Sequence, residues 1–160
     1  MKGFSLIEII VTLTLMLLLF GGAIANYTRY TDVQKLKQAA LTLKNNLRMA
    51  QNKAQVGEKP PGIACTQLVG YEVSFTKYSY SYQAVCKPSA VGAPKTSFDL
   101  PNNVIFNPLP TKSMVFGVLT RGVNIASTTT LTLTSGKSKY ELSIDPKGEI
   151  TIATRAGVLK

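Results

Sequence analysis

From Ile9 to Thr28 the chain carries no charged residue, and most of the side chains there are Leu, Ile, Val, Ala, Met or Phe. At a helical rise of ~1.5 Å per residue these twenty residues span roughly 30 Å, the hydrocarbon thickness of a bilayer. The run predicts a transmembrane helix over 4–28. One carboxylate, Glu8, stands at its margin. An unpaired charge in that position costs about 2–3 kcal/mol, so Glu8 requires a cationic partner.

The residues in front of the run read Lys2-Gly3-Phe4-Ser5-Leu6-Ile7-Glu8. This start resembles the signal of type IV pilins and pseudopilins: a basic residue, Gly, Phe, Glu fifth after the cut, then an apolar helix. The resemblance covers about the first 25 residues and implies that 1–3 is a leader removed by a prepilin peptidase. The cut falls after Gly3, and the new amino terminus, Phe4, is N-methylated. The resulting ammonium lies one helical turn from Glu8, so the two charges can neutralise each other in low dielectric, within a subunit or between neighbours. Phe4 and Glu8 are therefore the expected assembly residues. The implied partners are the peptidase, other pilin subunits, the pilus assembly platform and the cytoplasmic membrane. The implied location is single-pass in that membrane with an extracytoplasmic head, then in a surface pilus or a periplasmic pseudopilus. A secretory signal fits worse, because the apolar run is long and no small-x-small cleavage site follows it.

Beyond the run, Leu36, Ala39, Ala40, Leu43, Leu47, Ala50 and Ala54 recur at spacings of three and four. That stripe predicts an amphipathic helix over 29–57 continuing the first. Lys35, Lys37, Lys44, Arg48 and Lys53 occupy its other faces. No proline interrupts Phe4 to Val56, and Gly57 followed by Pro60 and Pro61 ends the helix. Many pilins carry a helix-breaking proline near the end of the membrane portion. Here Ala25 stands in that neighbourhood, and Gly21-Gly22 is the weak point at which melting on assembly would begin.

Residues 58–160 read as a β-rich head, making the expected class α+β: a long N-terminal helix packed on a small antiparallel sheet, pilin-like. Val69–Phe75 and Tyr78–Val85 alternate as a hairpin. A four-residue loop, Ser74 to Lys77, opposes Val73 to Tyr78, and the same register sets Cys65 opposite Cys86. These are the only two cysteines, and both fall outside the membrane run, favouring a structural disulfide in an oxidising compartment. No histidine is present to complete a zinc shell, so no metal or cofactor is expected. Tyr78, Tyr80 and Tyr82 are expected on an exposed sheet face. Short strands follow at Val104–Phe106 and Met114–Leu119. Thr128–Thr134, Lys139–Ile144 and Glu149–Ala153 then form a meander with turns at Ser135-Gly136-Lys137 and Asp145-Pro146-Lys147-Gly148. One face carries Leu131, Leu133, Tyr140, Leu142, Ile144, Ile150 and Ile152 and should pack on the alanine-rich stripe.

The stretch from Leu131 to Gly136, followed by Leu142 to Ile150, is similar to the C-terminal domain of the GspH/FimT group of pseudopilins and minor pilins. FimT-like minor pilins are associated with DNA capture in natural transformation, through a basic C-terminal tail with paired arginines. The tail here, Thr154 to Lys160, lacks that pairing but leaves Lys147, Arg155 and Lys160 as candidate DNA-binding residues. Eighteen Lys and Arg against eight Asp and Glu give a net charge of +10, or +9 without Lys2, which favours anionic partners. Without histidine, a Gly-x-Ser-x-Gly elbow or a phosphate loop, the sequence holds no catalytic constellation. The expected role is a major or minor pilin. The alternatives are a type II secretion pseudopilin, a DNA-binding minor pilin and, outside the family, a membrane-anchored adhesin.

Overall fold

In the computed structural model, residues 5–61, 65–87, 94–136 and 138–158 are described, without the side chains of 21–29 and 153–158. The architecture is α+β, with one helix against two antiparallel sheets. Helix α1 runs Leu6–Gln55, 50 residues without a proline. Its end is set by Gly57 at φ +67°, a left-handed conformation that lacks the usual Cβ penalty only in glycine. The N–H of Glu58 donates to the Lys53 carbonyl (2.9 Å) and that of Gly57 to the Ala54 carbonyl (3.1 Å). These two bonds are the Schellman closure that satisfies the last carbonyls of a helix. Lys53 also pairs with Glu58, which raises the Lys53 pKa chiefly through their hydrogen bond.

Eight strands follow: β1 Gln67–Phe75, β2 Ser79–Lys87, β3 Thr96–Asp99, β4 Ile105–Phe106, β5 Met114–Gly117, β6 Thr129–Ser135, β7 Ser138–Ile144 and β8 Ile150–Val158. They form two four-stranded sheets ordered β3-β2-β1-β5 and β4-β6-β7-β8. The expectation of one small sheet is therefore corrected. The chain crosses from the first sheet to β4, returns as β5 and then completes the second sheet. The alternating β6–β8 meander was legible. Strand β3 lies where no strand is expected from the sequence, and it forms by pairing with β2 rather than by its own pattern.

All seven stripe residues from Leu36 to Ala54 are buried, and α1 contacts β1 and β5 of one sheet and β6, β7 and β8 of the other. From the second sheet Leu131, Leu133, Tyr140, Leu142, Ile144 and Ile150 face this core, with Ile152 partly buried beside it. The small stripe residues let the helix axis sit close to both sheets, while Leu43 and Leu47 fill the space between them.

The first hairpin departs from the expected register. Val73 pairs with Tyr82, not Tyr78, because the turn lies two residues further along the chain, at Lys77-Tyr78: the Thr76 N–H donates to the Ser79 carbonyl at 2.8 Å. Tyr78 is thereby expelled onto the turn and exposed, while Tyr80 and Tyr82 are buried. The expected exposed tyrosine face is instead core. The Tyr80 ring stacks on Phe98 (5.3 Å) and meets Phe106 of the other sheet edge-on (6.4 Å), so an aromatic cluster joins the two sheets. Leu68, not Cys65, sits opposite Cys86, with a bulge between Leu68 and Gly70. The Cys65–Cys86 disulfide is nevertheless formed, with Cα atoms 5.5 Å apart. It ties the segment before β1 to the end of β2.

Candidate functional site

Two regions stand out from the packed core. The first is the N-terminal part of α1. Glu8 lies exposed in the opening turn, where its N–H donates to the Ser5 carbonyl at 3.0 Å. A carboxylate there complements the positive end of the helix dipole. Among the described residues no cation pairs with Glu8. Gly3 and Phe4, the expected processing residues, lie outside the described residues.

Twelve large apolar side chains between Leu6 and Phe20 are exposed around the whole helix, Leu18 and Leu19 at 77 % and 74 %. At about 1.5–3 kcal/mol per buried side chain, leaving twelve in water forgoes on the order of 20–30 kcal/mol. That exceeds the ~5–15 kcal/mol net stability of an ordinary domain, so the segment requires an apolar environment. The polar groups within it are turned inward. Thr12 Oγ1 donates to the Ile9 carbonyl at 2.9 Å, and Thr14 Oγ1 lies 3.0 and 2.9 Å from the Ile10 and Val11 carbonyls. Such local satisfaction is what an environment without water demands. Among the described residues no helix is long and apolar enough to cross a membrane, and the described side chains of the apolar run stop at Phe20.

The second region is a cleft of about 610 Å³ between the C-terminal part of α1 and two loops of the head. Arg48, Gln51, Asn52 and Gln55 supply the helix wall; Arg121 and the turn from Lys147 to Glu149 supply the other. The turn is built as its Asp-Pro-x-Gly sequence requires. The Gly148 N–H donates to the Asp145 carbonyl (2.9 Å), and the Glu149 N–H donates to Asp145 Oδ1 (2.7 Å). Gly148 adopts φ +83°, and a Cβ there would fall 1.7 Å from the Arg121 carbonyl oxygen. The buried Gln51 locks the walls together, its Nε2 donating to the carbonyls of Arg121 (3.0 Å) and Gly148 (2.8 Å).

Arg48, Arg121 and Lys147 are exposed and form no ion pair among the described residues, which include every Asp and Glu side chain of the chain. Of the three candidate DNA-binding residues, only Lys147 lies in this cleft. Lys160 and the Arg155 side chain lie outside the described residues. The Arg155 backbone is five residues into β8, about 17 Å along the strand from its start at Ile150. Sequence reasoning missed the partnership of Lys147 with Arg48 and Arg121. The available signal was Gln51, a polar residue four positions after Leu47 on the inward stripe, which marks a buried hydrogen-bonding position.

Two tyrosines carry shifted ionisation. Burial raises the Tyr80 pKa, partly offset by the Asn46 amide that donates to its oxygen at 2.8 Å. Burial likewise raises Tyr71, whose hydroxyl donates to the Glu58 carbonyl (2.8 Å), while Lys53 opposes the shift. Neither lines the cleft. Among the described residues no three His, Cys, Asp or Glu side chains gather as metal ligands. No family model, curated protein or solved structure matches the chain.

Proposed function

We propose that the chain is a structural subunit, major or minor, of a type IV pilus-like filament, cut after Gly3 and assembled through its N-terminal helix. One observation carries this reading. Among the described residues, a single uninterrupted helix carries the docked head on its second half, and the apolar side chains from Leu6 to Phe20 stand exposed all round. A helix that is apolar on every face needs lipid or other apolar helices around it. Before assembly the surrounding medium is the cytoplasmic membrane, reached through the whole run from Ile9 to Thr28. Afterwards it is a bundle of the same helices from neighbouring subunits. Moving from lipid to helix neighbours brings little gross hydrophobic gain, so packing and polar pairing decide which neighbours form. The pairing supplied here is the Phe4 ammonium with Glu8.

Mass spectrometry of the mature protein tests the reading directly. The expected product lacks Met1 to Gly3 and carries a methyl group on Phe4. Immunolabelled electron micrographs of sheared surface fibres should show the chain along or at the tip of a fibre. Confinement to short periplasmic assemblies would assign it to a secretion pseudopilus instead. An unprocessed, monomeric, functional protein would overturn the filament reading in favour of an anchored binding module.

A further inference from the structure

We infer that the cleft between α1 and the Asp145–Gly148 turn is a binding site for an acidic glycan, one bearing carboxylate or phosphate groups on a hydroxyl-rich chain. Among the described residues, three cations, Arg48, Arg121 and Lys147, face one carboxylate, Glu149, a net charge of +2 with no internal ion pair. Unpaired guanidinium groups at the rim of a concave site are suited to bidentate capture of an anion.

The remaining lining narrows the ligand class. Gln55 and Asn52 present carboxamides, each able to donate and accept, the pattern that matches sugar hydroxyls. Glu149 accepts hydrogen bonds from hydroxyls but repels a phosphodiester backbone that has none to offer. Among the described residues no aromatic side chain lines the cleft, so it offers no stacking platform of the kind single-stranded nucleic acid uses. Its volume falls in the ~300–1,000 Å³ range of small-ligand clefts, whereas duplex DNA engages longer basic tracks along its phosphates.

The site is also held ready before any ligand arrives. Gln51 bridges both loop carbonyls, Gly148 packs against Arg121, and the Val123 N–H donates to the Pro146 carbonyl at 3.1 Å. Affinity is therefore not spent on ordering loops. Arg48 lies about 30 Å along the helix from Thr28, the end of the uncharged run, well beyond the headgroups next to an embedded apolar run. The ligand is accordingly an envelope or surface polymer rather than the lipid of the anchoring membrane. The choice of an envelope or surface polymer rests on the anchored, extracytoplasmic head of the proposed function. The acidic-glycan chemistry of the cleft concerns a single subunit and does not depend on filament assembly.

The test is calorimetric titration of the full chain in neutral detergent micelles with hexagalacturonate, its methyl ester, inorganic phosphate and a 20-base-pair DNA duplex. Hexagalacturonate should bind, and the neutral ester at least about tenfold more weakly. Arg48→Gln and Arg121→Gln, at exposed positions, should each weaken hexagalacturonate by about fivefold or more. Asn52→Ala with Gln55→Ala should weaken hexagalacturonate while leaving the response to phosphate unchanged. Absence of hexagalacturonate binding, equal binding of the ester, or insensitivity to the arginine variants would overturn the site. Phosphate binding as tightly as hexagalacturonate, or insensitivity to the amide variants, would overturn recognition of the sugar. Tighter binding of the duplex would overturn the glycan in favour of DNA.

Discussion

Tyr80 shows how one side chain couples three elements. Its ring belongs to the aromatic cluster joining the sheets, and its oxygen accepts from Asn46 on α1. Tyr80→Phe leaves the Asn46 amide without that acceptor, and should cost about 1 kcal/mol at neutral pH, measured by urea denaturation. The same variant reports on alkaline stability. The folded-state pKa of Tyr80 is raised above the ordinary 10.0, so the folded protein holds the proton more tightly than the unfolded chain. That stability is complete below pH 10 and is lost as pH rises from there through the folded pKa. Tyr80→Phe should flatten the decline above pH 10 but not abolish it, because Tyr71 is shifted in the same direction. Gly148 makes a second residue-scale case. Ala in its place meets both a left-handed φ and the Arg121 carbonyl. Gly148→Ala should destabilise by about 2 kcal/mol or more, of which ~1–2 is the conformational term. A denaturation midpoint equal to that of the parent protein would show that the turn and the Arg121 loop yield freely.

At the scale of elements, the disulfide shows both the reach and the limit of sequence reasoning. The Cys65–Cys86 pairing was legible because the chain has two cysteines, on either side of one alternating hairpin. The register was not, because it depends on a two-residue displacement of the turn along the chain and on a bulge that no alternation pattern marks. Cysteines separated by 21 positions close a loop whose entropy is worth about 3 kcal/mol in the unfolded chain. Replacing both with alanine should lower stability by about that amount and shift the denaturant midpoint with little change in secondary structure by circular dichroism. The apolar faces of α1, β6, β7 and β8 were equally legible, since each repeats at its own structural period. The division into two sheets was hidden, because it is decided by where β4 and β5 cross between layers, and strands of two and four residues carry no period to read. The cleft was hidden for a related reason. Arg48, Arg121 and Lys147 are far apart in the sequence and share no spacing; long-range bonds, those of the buried Gln51 and that of Val123 to Pro146, bring their loops together.

For the whole molecule, subunit register in the proposed filament rests on a single ion pair, and a substitution at Glu8 tests it. In the membrane, Glu8 is a charge at the margin of the apolar run, so its removal takes away a cost and should leave insertion intact. In the proposed filament the carboxylate would enter the bundle and meet a Phe4 ammonium. Two such charges about 4 Å apart attract by roughly 4 kcal/mol at an effective dielectric near 20, and an unanswered ammonium costs a further few kcal/mol. Since each 1.4 kcal/mol is a factor of ten in an equilibrium, Glu8→Ala should reduce incorporation into filaments at least tenfold. The measure is the ratio of sheared-fibre to membrane-bound protein, with total membrane protein unchanged. Glu8→Gln separates charge from hydrogen bonding: an amide still accepts from the ammonium but cannot neutralise it, so incorporation should fall between the alanine variant and the parent. Normal incorporation of Glu8→Ala would remove the carboxylate from the assembly step, leaving apolar packing alone to set the stagger between neighbouring helices.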